Sequence, residues 1–481
     1  MPCTAIVPDQ SPAARARYVA EHLPVGLFRT VDEAPDVQGV AWRISPEPFR
    51  LAPATVERIA ALGPHLLAFY RATSALYARS ARGTAPPFIA DYLDRGKPDH
   101  VVRLARQNRF KTDVPRVIRP DLILTEDGGF IASELDSIPG GMGFVAAMAR
   151  TYCEIGFDTV GESDGMADAF GAMLAATAQL ERPVVAIVVS EESGDYRGEL
   201  RWLAERMRER GKAEAYVCAP QDIVFTEDAL FLRHDDGRES KIDVLYRNFE
   251  LFDLLNVPKQ ELMLYAARHN RVKMTPPPKA QLEEKSTFAL LHHPALAKLW
   301  IAELGAETFA LLRGLFPMTW IMDARPLPPH ASITGLAAGG TPVREWLELE
   351  ALGKSERDYV IKPSGFSEFA WGSRGVKIAN DLTREDWRAA IVAGVGAFDT
   401  TPHILQRFHK GRRVSVPYLD ARSGEVRTMD GRVRLCPYYF VAGDETRRGG
   451  ILATIVPSDK RIIHGMSDAI MAPCMVAEDG S

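Results

Sequence analysis

The segment RPDLILTEDGGFIASELDSIPGG (119–141) places Arg119, Asp121, Glu134 and Asp136 around a turn signal. Asp127-Gly128 favours a two-residue hairpin turn, because a type I′ turn needs positive φ at both central residues. That turn sets Asp121 opposite Glu134 and Arg119 opposite Asp136, and strand alternation puts all four on one face. Ile118, Leu122, Leu124, Ile131 and Leu135 then form an apolar layer on the other. Directly opposed carboxylates lie about 4.5–5.5 Å apart and repel. A divalent ion such as Mg²⁺, which takes a few carboxylates together with phosphate oxygens, relieves that repulsion. Arg119 would then face the phosphate. The alternative is a solvated face on which the arginine only pairs with an acid. The Pro139-Gly140-Gly141 exit allows close backbone approach, which favours a site.

Further charged candidates follow downstream. PPPKAQLEEKSTFALL (276–291) carries Lys285 just ahead of an expected helix. YVIKPSGFSEFAWGSRGVKI (359–378) puts Lys362 at a strand end, before a loop with Gly365, Gly372 and Gly375. Backbone N–H groups of such a loop and a lysine point charge suit phosphates, although neither a Walker A loop nor GxGxxG is present. Taken singly, each lysine reads more readily as a surface residue. Arg247, in DVLYRNFELFD (243–253), ends a buried-looking strand. It is a candidate for a substrate carboxylate or phosphate, or for a structural salt bridge. Arg434, in VRLCPYYF, suits a negatively charged intermediate. Tyr438 and Tyr439 read as packing residues. His464 and Asp468, one helical turn apart, read as capping or core residues, and His292-His293 as helix surface.

The elements that must hold these residues have their own periodicities. Residues 53–80 have helical spacing, as do stretches near 143–154 and 164–180. Strands at 184–190, 215–219 and 242–249, with a helix at 199–211, predict a small parallel sheet with right-handed crossovers. The prolines at 276–278 mark a linker or turn. Helices are expected near 285–303 and 343–352. YVIKPSG (359–365), HILQRF (403–408) and VRLCPYYFV (433–441) read as strands of a final α+β unit. No repeat of 20–50 residues or low-complexity tail is evident.

Composition narrows the class. The 481 residues are 46% apolar and 25% charged, which is ordinary for a globular chain. A net charge of −5 with no basic block argues against a nucleic-acid binder. No apolar run approaches the roughly 20 residues of a membrane helix, and the first thirty residues lack the apolar core of a signal peptide. Cys3, Cys153, Cys218, Cys436 and Cys474 are isolated, odd in number and not spaced as metal ligands. The expectation is a reduced, cytoplasmic, multidomain protein.

Together, Arg119-Pro120-Asp121, Glu134-Leu135-Asp136, the separated Lys285 and Lys362, and HILQRF resemble the circularly permuted ATP-grasp superfamily. The nearest likeness is to glutathionylspermidine synthetase-like and eukaryotic-type glutathione synthetase-like ligases, over roughly residues 115–470. The resemblance implies an α+β and α/β multidomain fold with an inserted Rossmann-like unit. Its implied division is an N-terminal, mainly helical region (1–115), a metal-binding hairpin (116–145) and a Rossmann-like substrate domain (146–270). A first lobe with a helical lid (271–355) and a second lobe with glycine-rich flap and adenine hinge (356–481) complete it. It further implies Mg²⁺ on Asp121, Glu134 and Asp136, and ATP held by Lys285 and Lys362. Gly372, Ser373, Arg374 and Gly375 fall in the flap, and Ile404, Leu405, Gln406 and Arg407 in the hinge. Arg119, Arg247 and Arg434 would serve the reacting groups. The implied activity is amide formation between a small-molecule carboxylate and amine through an acyl phosphate. A phosphotransferase on the same fold and a non-catalytic nucleotide-binding regulator are the alternatives. Two departures are the Asp at 136, where glutathione-making relatives carry Asn, and a longer loop between Lys362 and Gly375. Residues 1–115 show nothing like the amidase domain of some glutathionylspermidine enzymes. The acid, the amine and the oligomeric state stay open.

Overall fold

The structure is a computed structural model, and it describes residues 3–6, 9–24, 26–27, 42–370, 374–464 and 468–478. The hairpin forms where expected, as β2 (Val117–Leu124) and β3 (Phe130–Asp136). Its turn differs. Thr125 and Gly129 close the loop, with Gly128 at φ +81°, so three residues rather than two lie between them. On its own that turn would move Glu134 and Asp136 to the wrong face. A β-bulge at Ser133 restores the parity: Leu122 pairs with Ala132, yet Asp121 pairs with Glu134 and Arg119 with Asp136. One expected core residue changes sides as a result. Ile131 pairs with Ile123 on the charged side, and buried Phe130 and Ala132 join Leu122 and Leu124 in the core.

This hairpin closes a seven-stranded sheet drawn from both ends of the chain. The order is β1 (Phe49–Leu51), β20 (Ile470–Val476), β19 (Glu445–Pro457), β18 (Val426–Ala442), β2 and β3, with β17 (Arg413–Leu419) also on β18. The helix Pro53–Ala81 packs its apolar face on this sheet, burying Ile59, Leu62, Leu66 and Phe69. A second sheet is all parallel, in the order β10 (Lys273–Thr275), β9 (Val244–Asn248), β4 (Val184–Val189) and β5 (Glu214–Cys218). The central strands β4 and β9 are buried on both faces, and β4 is accordingly a continuous apolar run. A small antiparallel sheet of β6 (Ile223–Phe225), β7 (Leu230–Arg233) and β8 (Glu239–Lys241) follows β5 in the chain.

A four-stranded antiparallel sheet has the order β11 (Thr319–Ile321), β16 (His403–Arg407), β14 (Tyr359–Pro363) and β15 (Lys377–Ile378). β12 (Ala337–Ala338) and β13 (Thr341–Pro342) form a separate short pair. YVIKPSG and HILQRF are therefore neighbours in one sheet, whereas VRLCPYYFV belongs to the large sheet beside the hairpin.

Several local expectations change. Residues 346–351 form a 3₁₀ turn instead of a helix. The prolines at 276–278 are buried and continuous with their surroundings, so they are not a linker. His292 is buried and meets the Phe316 carbonyl through Nε2 at 3.0 Å, so it is not helix surface. His464 lies in irregular chain and Ile470 starts a strand, so no helix carries His464 and Asp468; residues 465–467 lie outside the described residues. Cys3 and Cys153 are disulfide-bonded with Cα atoms 4.8 Å apart, which revises the reading of five isolated thiols. The N-terminal segment folds back along the helix Met142–Glu154, with Ile6 N–H donating to the Glu154 carbonyl. The sequence separation of 150 hides that pairing. Cys218, Cys436 and Cys474 are buried free thiols. No helix among the described residues is long and apolar enough to cross a membrane.

Glu199, on the helix Arg197–Glu209, locks the hairpin exit to this core. It accepts the N–H groups of Gly141 (2.5 Å) and Phe144 (2.9 Å) at the start of the helix Met142–Glu154. Burial pushes its carboxyl up to about 7, and the N–H bonds only partly oppose this. The unfolded carboxyl ionises near 4.5, so the folded state holds the proton to higher pH. This group's stabilisation is therefore complete below the unfolded value and is lost as pH rises through the folded one, by roughly 3 kcal/mol in total. Glu199→Gln should flatten that loss: between about pH 5 and 8 its urea midpoint should fall less than the parent's. Equal slopes for the two proteins would contradict the assignment.

Candidate functional site

The bulged hairpin, β18 and the two lysine segments build one charged cluster. Arg119 donates through Nε to Asp121 at 3.0 Å, through Nη2 to Asp136 at 3.0 Å, and through Nη1 to the Gly140 carbonyl at 3.3 Å. Arg434, on the neighbouring strand, donates to the other Asp121 oxygen at 2.9 Å, and the Cys436 thiol lies 3.4 Å from Asp121 Oδ1. Lys285 meets Glu134 at 2.7 Å and the Ala370 carbonyl at 3.2 Å. Lys362 donates to the Ser133 carbonyl at 3.1 Å and to Gln406 Oε1 at 3.0 Å. The bulge that corrects the strand parity thus also supplies the carbonyl that receives Lys362. Gln406 in turn donates to the Thr319 hydroxyl at 3.2 Å.

Both lysines, far apart in sequence, converge on the Ser133–Glu134 segment. Gly365 makes part of this possible. A Cβ there would stand 1.7 Å from the Glu283 carbonyl oxygen, so only glycine lets the loop after Lys362 lie against the segment leading to Lys285. Next to it, Glu284 forms a buried ion pair with Lys97.

The electrostatics follow from burial and pairing. Asp121 is 3% exposed. Burial alone would raise its carboxyl, but Arg119 and Arg434 outweigh that and hold it below the usual range. Burial likewise opposes ionisation of Glu134, and Lys285 and Lys362 overcome it. Asp136 has only Arg119 and the Ile138 N–H against burial and two neighbouring carboxylates, so it is raised. Lys362 touches a carbonyl and an amide rather than a carboxylate, and burial lowers it; Lys285, beside Glu134, is raised despite burial.

Arg119, Lys285, Lys362 and Arg434 face three carboxylates, an arrangement that leaves cation to spare for a polyphosphate. The oxygen-only donor set of Asp121, Glu134 and Asp136 suits Mg²⁺ in kind. These carboxylates are not a ready cage, however. Among the described residues no three His, Cys, Asp or Glu side chains are grouped to hold an ion. Each acid is turned to a side-chain cation instead, because a buried carboxylate needs the nearest opposite charge.

Other candidates are placed differently. Arg247 is fully buried, bonded to Glu283 at 2.5 Å and to the carbonyls of Phe249, Pro276 and Pro277. Its guanidinium is thus taken up by one carboxylate and three carbonyls, as in the salt-bridge alternative. Arg374 is exposed and reaches Glu192 at 3.5 Å. Gly375 packs against Pro363, while Gly372 and Ser373 lie outside the described residues. In β16, Ile404 pairs with Lys362 and Gln406 bonds to it. Leu405 is buried among Trp320, Tyr359 and Trp387, and exposed Arg407 lies 4.6 Å from the Tyr359 ring. Sequence reasoning did not find Cys436, the Ser133 carbonyl, Thr319 or Glu283 as members of the site. Only Ser133 left a trace, as one residue too many for a regular ladder behind a three-residue turn.

The reassignment of Arg247 is open to test. Arg247→Ala would leave Glu283 buried without its partner, so stability should fall by about 3–5 kcal/mol in urea denaturation. An unchanged midpoint would return Arg247 to the substrate-contacting set.

No family model matches this sequence, and no curated protein matches it either. Among solved structures, a glutathione synthetase-like effector from Globodera pallida superposes with TM-score 0.58 at 12% identity, covering 98% of this chain and 100% of that one. A structure from Methylobacillus flagellatus, assigned by name to gamma-glutamylcysteine synthetase, gives TM-score 0.41 at 12% identity over 83% of this chain and 86% of that one. The first of these establishes a likeness of fold, which extends over nearly the whole chain.

Proposed function

We propose that this chain is an ATP- and Mg²⁺-dependent ligase of the circularly permuted ATP-grasp type, joining a small-molecule carboxylate to an amine. The observation that carries the reading is the convergence of Lys285 and Lys362 on Ser133 and Glu134, beside the Arg119–Asp121–Arg434 ladder. The likeness of fold to a glutathione synthetase-like protein supports it.

In this reading Lys285, Lys362 and Arg119 hold the triphosphate, and Arg434 faces the negatively charged intermediate. Asp121, Glu134 and Asp136 would hold Mg²⁺, which when bound neutralises charge developing on the transferred phosphoryl group. Lys362 enters already stripped of water and set by Gln406, so little reorganisation is needed when it meets a phosphate. Arg119 and Lys285 must release Asp136 and Glu134 as they turn to the ligand, freeing carboxylate oxygens. Residues 364–370, pinned at Gly365 and met by Lys285 at the Ala370 carbonyl, would keep water from an activated carboxylate. The region 146–270 is the proposed substrate domain, and Ile404–Arg407 the proposed hinge.

Two experiments test this. Lys362→Ala should weaken Mg-ATP binding by about 10–100-fold, the worth of a charge-assisted hydrogen bond, and abolish ADP formation with an unaltered circular dichroism spectrum. Unchanged calorimetric affinity would contradict the assignment. In the second, a ligase transfers one carboxylate oxygen to phosphate for each amide formed. An ¹⁸O-labelled acid should therefore deliver one labelled oxygen to the inorganic phosphate released. Unlabelled phosphate, or a stable phosphorylated product, would instead indicate hydrolysis or a kinase.

A further inference from the structure

Lys285 is the last of three consecutive charged residues, and their side chains run to three separate parts of the fold. Glu283 meets Arg247 of β9 at 2.5 Å, Lys285 meets Glu134 of β3 at 2.7 Å, and Glu284 meets Lys97 in the N-terminal helical region. The main chain here is fixed as well. The Glu284 carbonyl accepts the Thr287 hydroxyl at 2.8 Å, and the Lys285 carbonyl accepts the Phe288 N–H at 3.2 Å.

Both side chains of the Lys97–Glu284 pair are 2% exposed. Lys97 occupies the short turn between the helices Phe88–Asp94 and Asp99–Ala105, where its N–H bonds to the Asp94 carbonyl at 3.0 Å. Gly96 before it has φ +74°, and a Cβ there would stand 2.3 Å from the Thr400 carbonyl oxygen. The turn is thus pressed against Thr400, with the Lys97 side chain buried. Its ammonium also lies 5.7 Å from the centre of the Phe366 ring, within cation–π range. Phe366 follows Gly365, which abuts the Glu283 carbonyl. One lysine therefore touches two segments, the one ending at Lys285 and the one after Lys362.

Burying two charges returns little net stability, because desolvation offsets their attraction, and apolar side chains would hold these helices as well. What the ion pair supplies is direction. It fixes where Glu284 points, and so the main chain from which Lys285 departs. We propose that Lys97 is a positioning residue for Lys285, acting through Glu284, so that the N-terminal helical region sets one side of the nucleotide site. The inference rests on the ligase reading, in which Lys285 exchanges Glu134 for a phosphate. During that exchange only the side chain of Lys285 moves, since its main chain stays held at Glu283 and Glu284. Lys97 itself touches no ligand.

The test compares the parent, Lys97→Met and the double variant Lys97→Met/Glu284→Gln, each as the full chain. Lys97→Met leaves Glu284 buried without a partner and should lower the urea midpoint. The double variant carries no unpaired charge and should recover most of that loss. It should nevertheless bind Mg-ATP about 3–10-fold more weakly by calorimetry, as part of the Lys285 contact is lost. Hydrogen exchange in peptides covering 283–291 should be faster than in the parent, with the strand 244–248 unchanged. A structural role alone would restore affinity and exchange together with stability. Parent affinity in the double variant, or parent exchange at 283–291, would overturn the inference and leave the ligase reading intact. A double variant as unstable as Lys97→Met would make the pair structural and would also overturn it. A parent that binds no Mg-ATP would overturn both readings.

Discussion

A buried carboxylate at Asp121 is the constraint around which the rest is organised. Withdrawn from water, it would be intolerable alone, and it is made tolerable by a guanidinium on each side, one from its own strand and one from β18. Those two arginines bind the hairpin to the middle of the large sheet. Arg119 also grips the Gly140 carbonyl, which Tyr438 holds from β18. The position of the next helix therefore depends on the same ion cluster. Charge compensation here does the positioning that apolar packing does elsewhere.

The sheet carrying Lys362 is joined to the hairpin by polar contacts. Lys362 reaches across to Ser133 and Lys285 to Glu134. Such contacts are exchangeable: an arriving phosphate can replace a carbonyl or a carboxylate as the lysine's partner without loss of buried apolar area. Gln406 carries this network on to the Thr319 hydroxyl of β11.

Much of this was legible in the sequence, for physical reasons that differ by element. Alternation around Asp127-Gly128 placed Arg119, Asp121, Glu134 and Asp136 on one face, and the pairing is as read. The route to it was not legible: the turn is one residue longer and Ser133 is extruded, two departures that cancel at the site but expose the error at Ile131. Apolar runs foretold the parallel strands at 184–189 and 244–248 because strands covered on both faces need no alternation. Arg247 could be read either as a ligand contact or as a salt bridge. What decided it was Glu283, a partner 36 residues away that no local pattern identifies. The Cys3–Cys153 bond and the burial of His292 likewise depend on tertiary neighbours. Three-carboxylate metal binding was inferred from repulsion among acids, whereas the folded chain answers that repulsion with lysine and arginine side chains.

The seating of β2 against β18 has a consequence for how the chain comes to exist. The two strands are about three hundred residues apart in sequence, and the large sheet needs both. During synthesis the hairpin leaves the ribosome long before its neighbour, while the parallel strands between 184 and 275 emerge together and find their partners locally. The parallel unit can therefore consolidate first, while the edge of β2 stays unpaired until residues 426–442 arrive. The acids on that waiting hairpin repel other copies of themselves. The charges that serve the finished site also guard the nascent strand edge against association.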